Sequence, residues 1–175
     1  MATTLSDILS VSEQLWPRSG AESWDAVGLV SGNPQGPVES VLLAVDAVLD
    51  TVDEAIAAGA DLLLTHHPLL LRGVTTIAED RYKGALLARL IRGNCALIAA
   101  HTNADVVESG TSATLAARLG LTDVRPLVAG ETVNRGIGRV GTLPAFALSL
   151  ASEAGWCRRS EVMKTSAPST SGRAR

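Results

Sequence analysis

Aromatic residues are scarce in this chain: phenylalanine, tyrosine and tryptophan together make up 3% of its 175 residues. Hydrophobic residues still account for 46% of the chain, so its core must be built from alanine, leucine, valine and isoleucine. Small aliphatic side chains of this kind suit helices packed on a sheet. The length is sufficient for one ordinary domain with a substantial core.

Cysteine is also rare, and the two cysteines, Cys95 and Cys157, lie far apart without CxxC spacing. No disulfide framework is implied, which favours a reducing compartment. Cys95 falls within an apolar strand pattern, which predicts a buried thiol. The sequence shows neither a secretory leader nor an apolar run of about 18 residues. We therefore predict a cytoplasmic protein without a membrane span.

The charge is mild and unevenly distributed. A net charge of −3 gives no reason to expect nucleic-acid binding. Residues 151–175 are rich in serine and carry a local charge of +3, which leaves −6 on the preceding residues. We predict that residues 1–144 form an α/β domain and that residues 145–175 are a divergent, disordered tail. The alternatives for the tail are an ordinary flexible terminus and an early end of the globular sequence.

Apolar periodicity predicts alternating helices and strands. The predicted helices are residues 5–16, 50–58, 79–92 and 111–119, and the predicted strands are residues 27–30, 41–45, 61–65, 97–100, 124–128 and 137–143. Thr4 or Ser6 is expected to cap the first helix, and Pro17 to end it. The alternation predicts an α/β fold in which helices flank a layered sheet with a largely parallel central portion.

All three histidines follow predicted strands. His66 and His67 come after the apolar run of residues 61–65, and His101 comes after residues 97–100. Strand ends of α/β proteins gather ligand and catalytic groups, and imidazole with carboxylate is a usual donor set for catalytic divalent metals. The sequence therefore predicts part of a metal site.

The adjacency of His66 and His67 carries information about the number of ions. Successive side chains of an extended segment point to opposite sides, so two adjacent histidines chelate a single ion poorly. At a strand end each can instead reach one of two ions about 3.5–4 Å apart. Pro68 rigidifies the exit from the pair. The alternative is that these histidines are structural residues.

The remaining candidates leave alternatives open. Asp105 is either a ligand or the N-cap of a following helix. His101 is a ligand, or a residue that orients a ligand or contacts substrate. Trp24 and Asp25 line a pocket, or Trp24 fills the edge of the core. No serine or cysteine nucleophile motif is present, and no catalytic residue is assigned.

With these residues in view, the chain resembles the NGG-interacting-factor-three-like proteins, also known as GTP cyclohydrolase I type 2 homologues and dinuclear metal centre hexameric proteins. The resemblance covers roughly residues 5–144. The matching stretches are residues 24–32, 43–46, 60–69, 100–105 and 136–144. The most specific of them are the His-His-Pro and His-Thr-Asn-Ala-Asp segments.

The resemblance implies a metal site with defined ligands. His66 and His67 would each bind one of two divalent cations, Asp105 would join His67 on its ion, and His101 would stand beside the site. It also implies an α/β fold, a toroidal homohexamer, and metal-dependent hydrolysis, such as GTP cyclohydrolase activity, on a small-molecule substrate.

The chain departs from the family pattern at its end. Family members supply a second histidine and a bridging glutamate from a His-x-x-x-Glu motif, whereas this chain has no fourth histidine. We therefore predict a truncated or frameshifted sequence, a fold incomplete relative to the family, a single weakly held ion and impaired catalysis. The alternatives are a non-enzymatic oligomeric metal-binding or interaction protein and a decayed gene product.

Overall fold

The computed structural model describes residues 2–130, 132 and 134–143. The predicted tail and Cys157 lie outside these residues. The elements follow one another as α1 (Leu5–Leu15), a 3-10 turn (Arg18–Gly20), β1 (Gly28–Ser31), β2 (Val41–Ala44), α2 (Leu49–Ala57), β3 (Leu62–Thr65), α3 (Tyr82–Arg92), β4 (Ala96–Ala99), α4 (Thr102–Val106), α5 (Thr111–Arg118), β5 (Thr122–Arg125), β6 (Val128–Ala129), β7 (Gly136–Ile137) and β8 (Val140–Thr142).

The central sheet has four strands in the order β1-β4-β3-β2. Strands β2, β3 and β4 are parallel, and Leu63 of β3 lies opposite Leu42 on one side and Leu97 on the other. Helices α2 and α3 connect the parallel strands, as parallel pairing requires. Strand β1 pairs antiparallel with β4. The predicted α/β fold with a parallel central portion is confirmed.

The core is aliphatic and lies on both faces of the sheet. On one face, Leu63 packs with buried residues of α2 and α3. On the other face, Leu62 and Ile98 pack against Leu5 of α1. Neighbouring residues of β3 thus serve opposite layers, because side chains alternate along a strand. The core clusters contain no aromatic side chain among the described residues.

Helix boundaries follow local chemistry. Thr4 caps α1, since its hydroxyl accepts from Asp7 N at 3.2 Å while the Asp7 carboxylate accepts from Thr4 N at 2.8 Å. Helix α3 begins at Tyr82, three residues later than predicted, and buries Leu86 and Leu90. None of the helices in residues 2–143 that the structure describes is long and apolar enough to cross a membrane.

Two local predictions were wrong, and one helix was missed. The predicted strand of residues 124–128 is split into β5 and β6 around Pro126, which has no N–H to donate. The strand of residues 137–143 is likewise split into β7 and β8 at Gly138, which has a φ of +66°. Helix α4 was not predicted, because five residues are too few to establish a helical period.

Strand β2 is an edge strand with one bare face. Leu42 and Ala44 pack against the core, whereas Val41, Leu43 and Val45 are exposed, Leu43 by 71%. We refer to Val41, Leu43 and Val45 as the β2 apolar strip. An exposed apolar edge of this kind invites pairing with a partner.

Candidate metal centre

The candidate site lies where the three parallel strands end, which we call the carboxyl edge of the sheet. His66 and His67 directly follow β3, and His101 follows β4 by two residues. The pairing of β2 with β3 continues into the histidine pair, because His66 N donates to Ala44 O at 3.2 Å and His67 N donates to Val45 O at 2.8 Å. The sheet itself therefore fixes the position of both histidines.

The three histidines converge. One nitrogen from each ring lies within 4.8 Å of the corresponding nitrogens of the other two, a spacing that a metal ion can bridge. The ring centroids of His66 and His67 are 5.0 Å apart, and His101 stands nearly perpendicular to both rings. The structure thus brings His101 into the same cluster as the two predicted ligands.

The second nitrogen of each ring is engaged by an oxygen. The three Nδ1 atoms bond to Ala100 O for His66 (2.9 Å), to Asp46 Oδ1 for His67 (2.7 Å) and to Asp25 Oδ1 for His101 (2.9 Å). Carbonyl and carboxylate oxygens only accept hydrogen bonds, so each Nδ1 carries the proton. In the neutral rings the Nε2 lone pairs are then free. This is the usual state of histidines that bind metals.

Asp105 lies beside this cluster, within α4. Its Oδ2 is 3.7 Å from His66 Nε2, and both side chains are largely shielded from solvent. Asp105 is not an N-cap, because His101 holds the cap position of α4 and Gly110 that of α5. The proposed pairing of Asp105 with His67 on one ion stays a prediction.

Asp25 is the most enclosed acidic group of the site, with a side chain that is 0% exposed. Its Oδ1 accepts from Ala26 N at 2.7 Å and from His101, and its Oδ2 accepts from Thr102 N at 3.0 Å and from the Thr102 hydroxyl. Burial alone would raise the pKa of Asp25. The hydrogen bonds from Thr102, His101 and Ala26 outweigh it and hold that pKa below its ordinary value.

Two buried polar residues hold the backbone of the site. The Thr65 hydroxyl donates to His67 O at 3.0 Å, which braces the turn after β3. Asn103 accepts from His101 N at 3.0 Å and donates to Trp16 O at 2.8 Å. The site is therefore tied to the end of α1 as well as to the sheet.

Trp24 lies at the rim of the site and does not fill the edge of the core. Its side chain is 56% exposed, and its ring meets His101 edge to face at a centroid distance of 5.9 Å. An exposed indole next to converging imidazoles offers an apolar surface at the entrance to the cluster.

The sequence alone predicted no role for Asp46. For Asp25 it offered only the possibility of lining a pocket together with Trp24. Asp46 follows β2 by two residues, as His67 follows β3, so the strand-end argument applied to all three parallel strands would have found it. Asp25 precedes β1, and it reaches this edge only because β1 runs antiparallel to β4. No sequence pattern indicates that direction.

Comparison with known proteins agrees with this fold. The sequence model of the Duf34/NIF3 (NGG1p interacting factor 3) family matches residues 3–157. The chain belongs to this family, which confirms the resemblance stated above.

Relatives and solved structures show the same relationship. The chain is 52% identical over 139 residues to a GTP cyclohydrolase 1 type 2 homolog of Streptomyces coelicolor, covering 78% of this chain and 49% of the relative. The chain therefore spans about half the length of this relative. It is also 51% identical over 122 residues to a GTP cyclohydrolase 1 type 2 homolog of Mycobacterium bovis, covering 70% of this chain and 32% of that relative. The structure resembles reduced HcgD from Methanocaldococcus jannaschii, with a TM-score of 0.74 and 28% identity over 86% of this chain and 60% of that one.

Proposed function

We propose that this chain carries the histidine-rich part of a divalent metal site in a metal-dependent hydrolase-like protein. The observation that carries the proposal is the convergence of three imidazoles whose Nδ1 atoms are all held by oxygen acceptors. A divalent cation bound at such a site supplies an activated water at neutral pH. The donor set fits such an ion, because free imidazole nitrogens and a nearby carboxylate are its common ligands.

His66, His67 and Asp105 are the proposed ligands, and His101 either joins them or stays beside them. The adjacency of His66 and His67 supports two ions rather than one, as argued from the sequence. Two close cations repel each other, and a bridging carboxylate offsets that repulsion. The resemblance places that carboxylate in a His-x-x-x-Glu motif. The three histidines of this chain lie at positions 66, 67 and 101, so none of them remains to form that motif. We therefore propose that this chain by itself holds one ion.

Nitrogen and oxygen donors of this kind accept zinc, manganese, iron, cobalt or nickel. Because the relatives are named GTP cyclohydrolase 1 type 2 homologs, GTP is the first substrate to test. A homohexameric assembly and a cytoplasmic location belong to the same proposal.

The test is calorimetric titration of the chelator-treated chain with Zn²⁺, Mn²⁺ and Co²⁺, followed by a screen for hydrolysis of GTP and simple phosphoesters. We expect binding of one ion and, if there is turnover, its complete loss on adding chelator. Absence of binding by all three ions would overturn the proposal. A full-length relative in the same assays shows how much activity the present chain retains.

A second candidate function is a non-enzymatic, oligomeric metal-binding or interaction protein. The exposed β2 apolar strip favours it, because a row of bare aliphatic side chains on an edge strand is typical of an interface. Light scattering with and without chelator tests it. A stable oligomer that binds metal without turnover supports this second function, and a monomer with chelator-sensitive turnover excludes it.

A further inference from the structure

We propose that Asp25 is the positioning residue that makes His101 a metal ligand, and that the loop before β1 is therefore part of the metal site. This inference rests on the proposed metal site. It goes further by assigning His101 to the ligands, and by assigning a role to an acidic residue that lies 76 positions away from it in sequence.

The argument begins with the number of hydrogen bonds that Asp25 accepts. Each of its two carboxylate oxygens accepts two, and no part of the side chain is exposed. Two of the donors are the backbone N–H groups of Ala26 and Thr102, which cannot reverse their roles. The carboxylate is therefore fixed in orientation, and its Oδ1 can only accept from His101 Nδ1.

A fixed acceptor at Nδ1 determines what His101 presents on its other side. The proton stays on Nδ1, and the Nε2 lone pair is directed away from Asp25, toward the cluster formed with His66 and His67. Thr102 adds a second link, because it bonds the same carboxylate and directly follows His101. Asp25 thus sets both the tautomer of the ring and the backbone that carries it.

Asp46 provides an internal comparison. It accepts from His67 Nδ1 in the same way, but its side chain is 55% exposed and that of His67 is 49% exposed. Among the described residues, His67 is the only hydrogen-bond partner of the Asp46 side chain. Water can replace a solvent-exposed acceptor of this kind, so Asp46 contributes less to positioning than Asp25 does.

The two residues should respond differently to the same isosteric change. In Asp25→Asn the new amide NH₂ replaces one oxygen, and either rotamer places it against a backbone N–H, of Ala26 or of Thr102. Two donors then face each other in a site closed to water. In Asp46→Asn the amide oxygen can still accept from His67, and the NH₂ can turn to solvent.

The experiment measures Zn²⁺ affinity by calorimetry for the unaltered chain, Asp25→Asn and Asp46→Asn. It also measures the His101 tautomer by ¹⁵N NMR in the metal-free protein. We expect Asp25→Asn to lower the Zn²⁺ affinity by about 10- to 100-fold, the usual range for residues that support metal ligands. We expect Asp46→Asn to lower it by less than about tenfold, below that range. We expect His101 of the unaltered chain to carry its proton on Nδ1, and Asp25→Asn to shift this tautomer population.

The outcomes separate this inference from the function on which it rests. No metal binding by the unaltered chain overturns the proposed function, and with it the ligand role of His101. Normal binding by the unaltered chain, with unchanged affinity and tautomer in Asp25→Asn, overturns only the role of Asp25. If Asp25→Asn does not fold, the tautomer in the unaltered chain decides, since a proton on Nε2 of His101 contradicts the inference.

Discussion

The carboxyl edge of the sheet and the opposite, amino edge both carry polar side chains next to strand ends, yet these side chains are arranged differently. At the carboxyl edge each histidine bonds an oxygen through Nδ1, and one nitrogen of each ring lies within 4.8 Å of those of the other two. At the amino edge the structure contains a cavity of about 520 Å³, whose charged lining residue is Asp61.

The polar groups of the amino edge are occupied by the protein itself. Asp61 Oδ2 accepts from Glu39 N at 2.9 Å, from Ser40 N at 3.0 Å and from the Ser40 hydroxyl at 2.9 Å. Cys95, which lines the same cavity, is buried as predicted, and that burial raises the pKa of its thiol. The raised pKa favours the protonated thiol, which is the less reactive form, and three hydrogen bonds engage one oxygen of the Asp61 carboxylate. The comparison shows that the enclosed volume and the convergent nitrogen atoms lie at opposite edges of this sheet.

The largest effect should come from removing a proposed metal ligand at the carboxyl edge. His66→Ala should weaken Zn²⁺ binding by more than about 100-fold, since the loss of a ligand exceeds the usual cost of losing a supporting residue. Calorimetry measures the change, and Asp61→Asn at the amino edge serves as the matched control with unchanged affinity. Equal losses in both variants would show that the two edges are not functionally distinct.

A core substitution should lower stability much more than a substitution on the exposed side of the same helix. Leu86→Ala removes a fully buried side chain of α3 and should lower the free energy of unfolding by about 2–5 kcal/mol. Ile91→Ala, on the same helix but at a side chain that is 60% exposed, should have little effect. Urea denaturation of both variants measures the difference. A large loss in Ile91→Ala would mean that this side of α3 is covered in solution.

Removing the cap of α1 should have a smaller effect. Thr4→Ala deletes the hydroxyl that accepts from Asp7 N and should cost about 1 kcal/mol of stability. Thermal unfolding measures the loss. Because α1 begins at the amino edge, Zn²⁺ affinity should stay unchanged, and a change in affinity would contradict the separation of the two edges.

The smallest effect is expected from the charge of Asp61. Hydrogen bonds from Glu39 and Ser40 hold the pKa of Asp61 below its ordinary value, so its carboxylate stabilises the fold above the unfolded-state pKa. That contribution is lost as the pH falls through the lower, folded-state pKa. Asp61→Asn should therefore be less stable than the unaltered chain at pH 7, and the difference should shrink as the pH falls through the folded-state pKa of Asp61. Denaturation over a series of pH values measures it, and a difference that does not shrink in acid would contradict the assignment.

Much of the fold could be predicted from sequence because the parallel strands carry strong local signals. The apolar runs before His66 and His101 indicated both the strands and the edge at which the histidines meet. The role of Asp25 could not be predicted, since it depends on the direction of β1, which is set by pairing with the distant β4. Helix α4 and the breaks within the last strands were also missed, because they extend over too few residues to show a period.

The antiparallel β1 also has a consequence for the order in which the chain folds. The partners of Asp25 lie 76 and 77 positions later in sequence. A growing chain that ends after β3 already holds His66 and His67 but lacks every distant donor to that carboxylate. Enclosing an ionised carboxylate without partners is costly, and contacts between remote residues form late. The Asp25 carboxylate therefore gains its distant donors only in a chain that extends at least as far as Thr102, the first residue of α4.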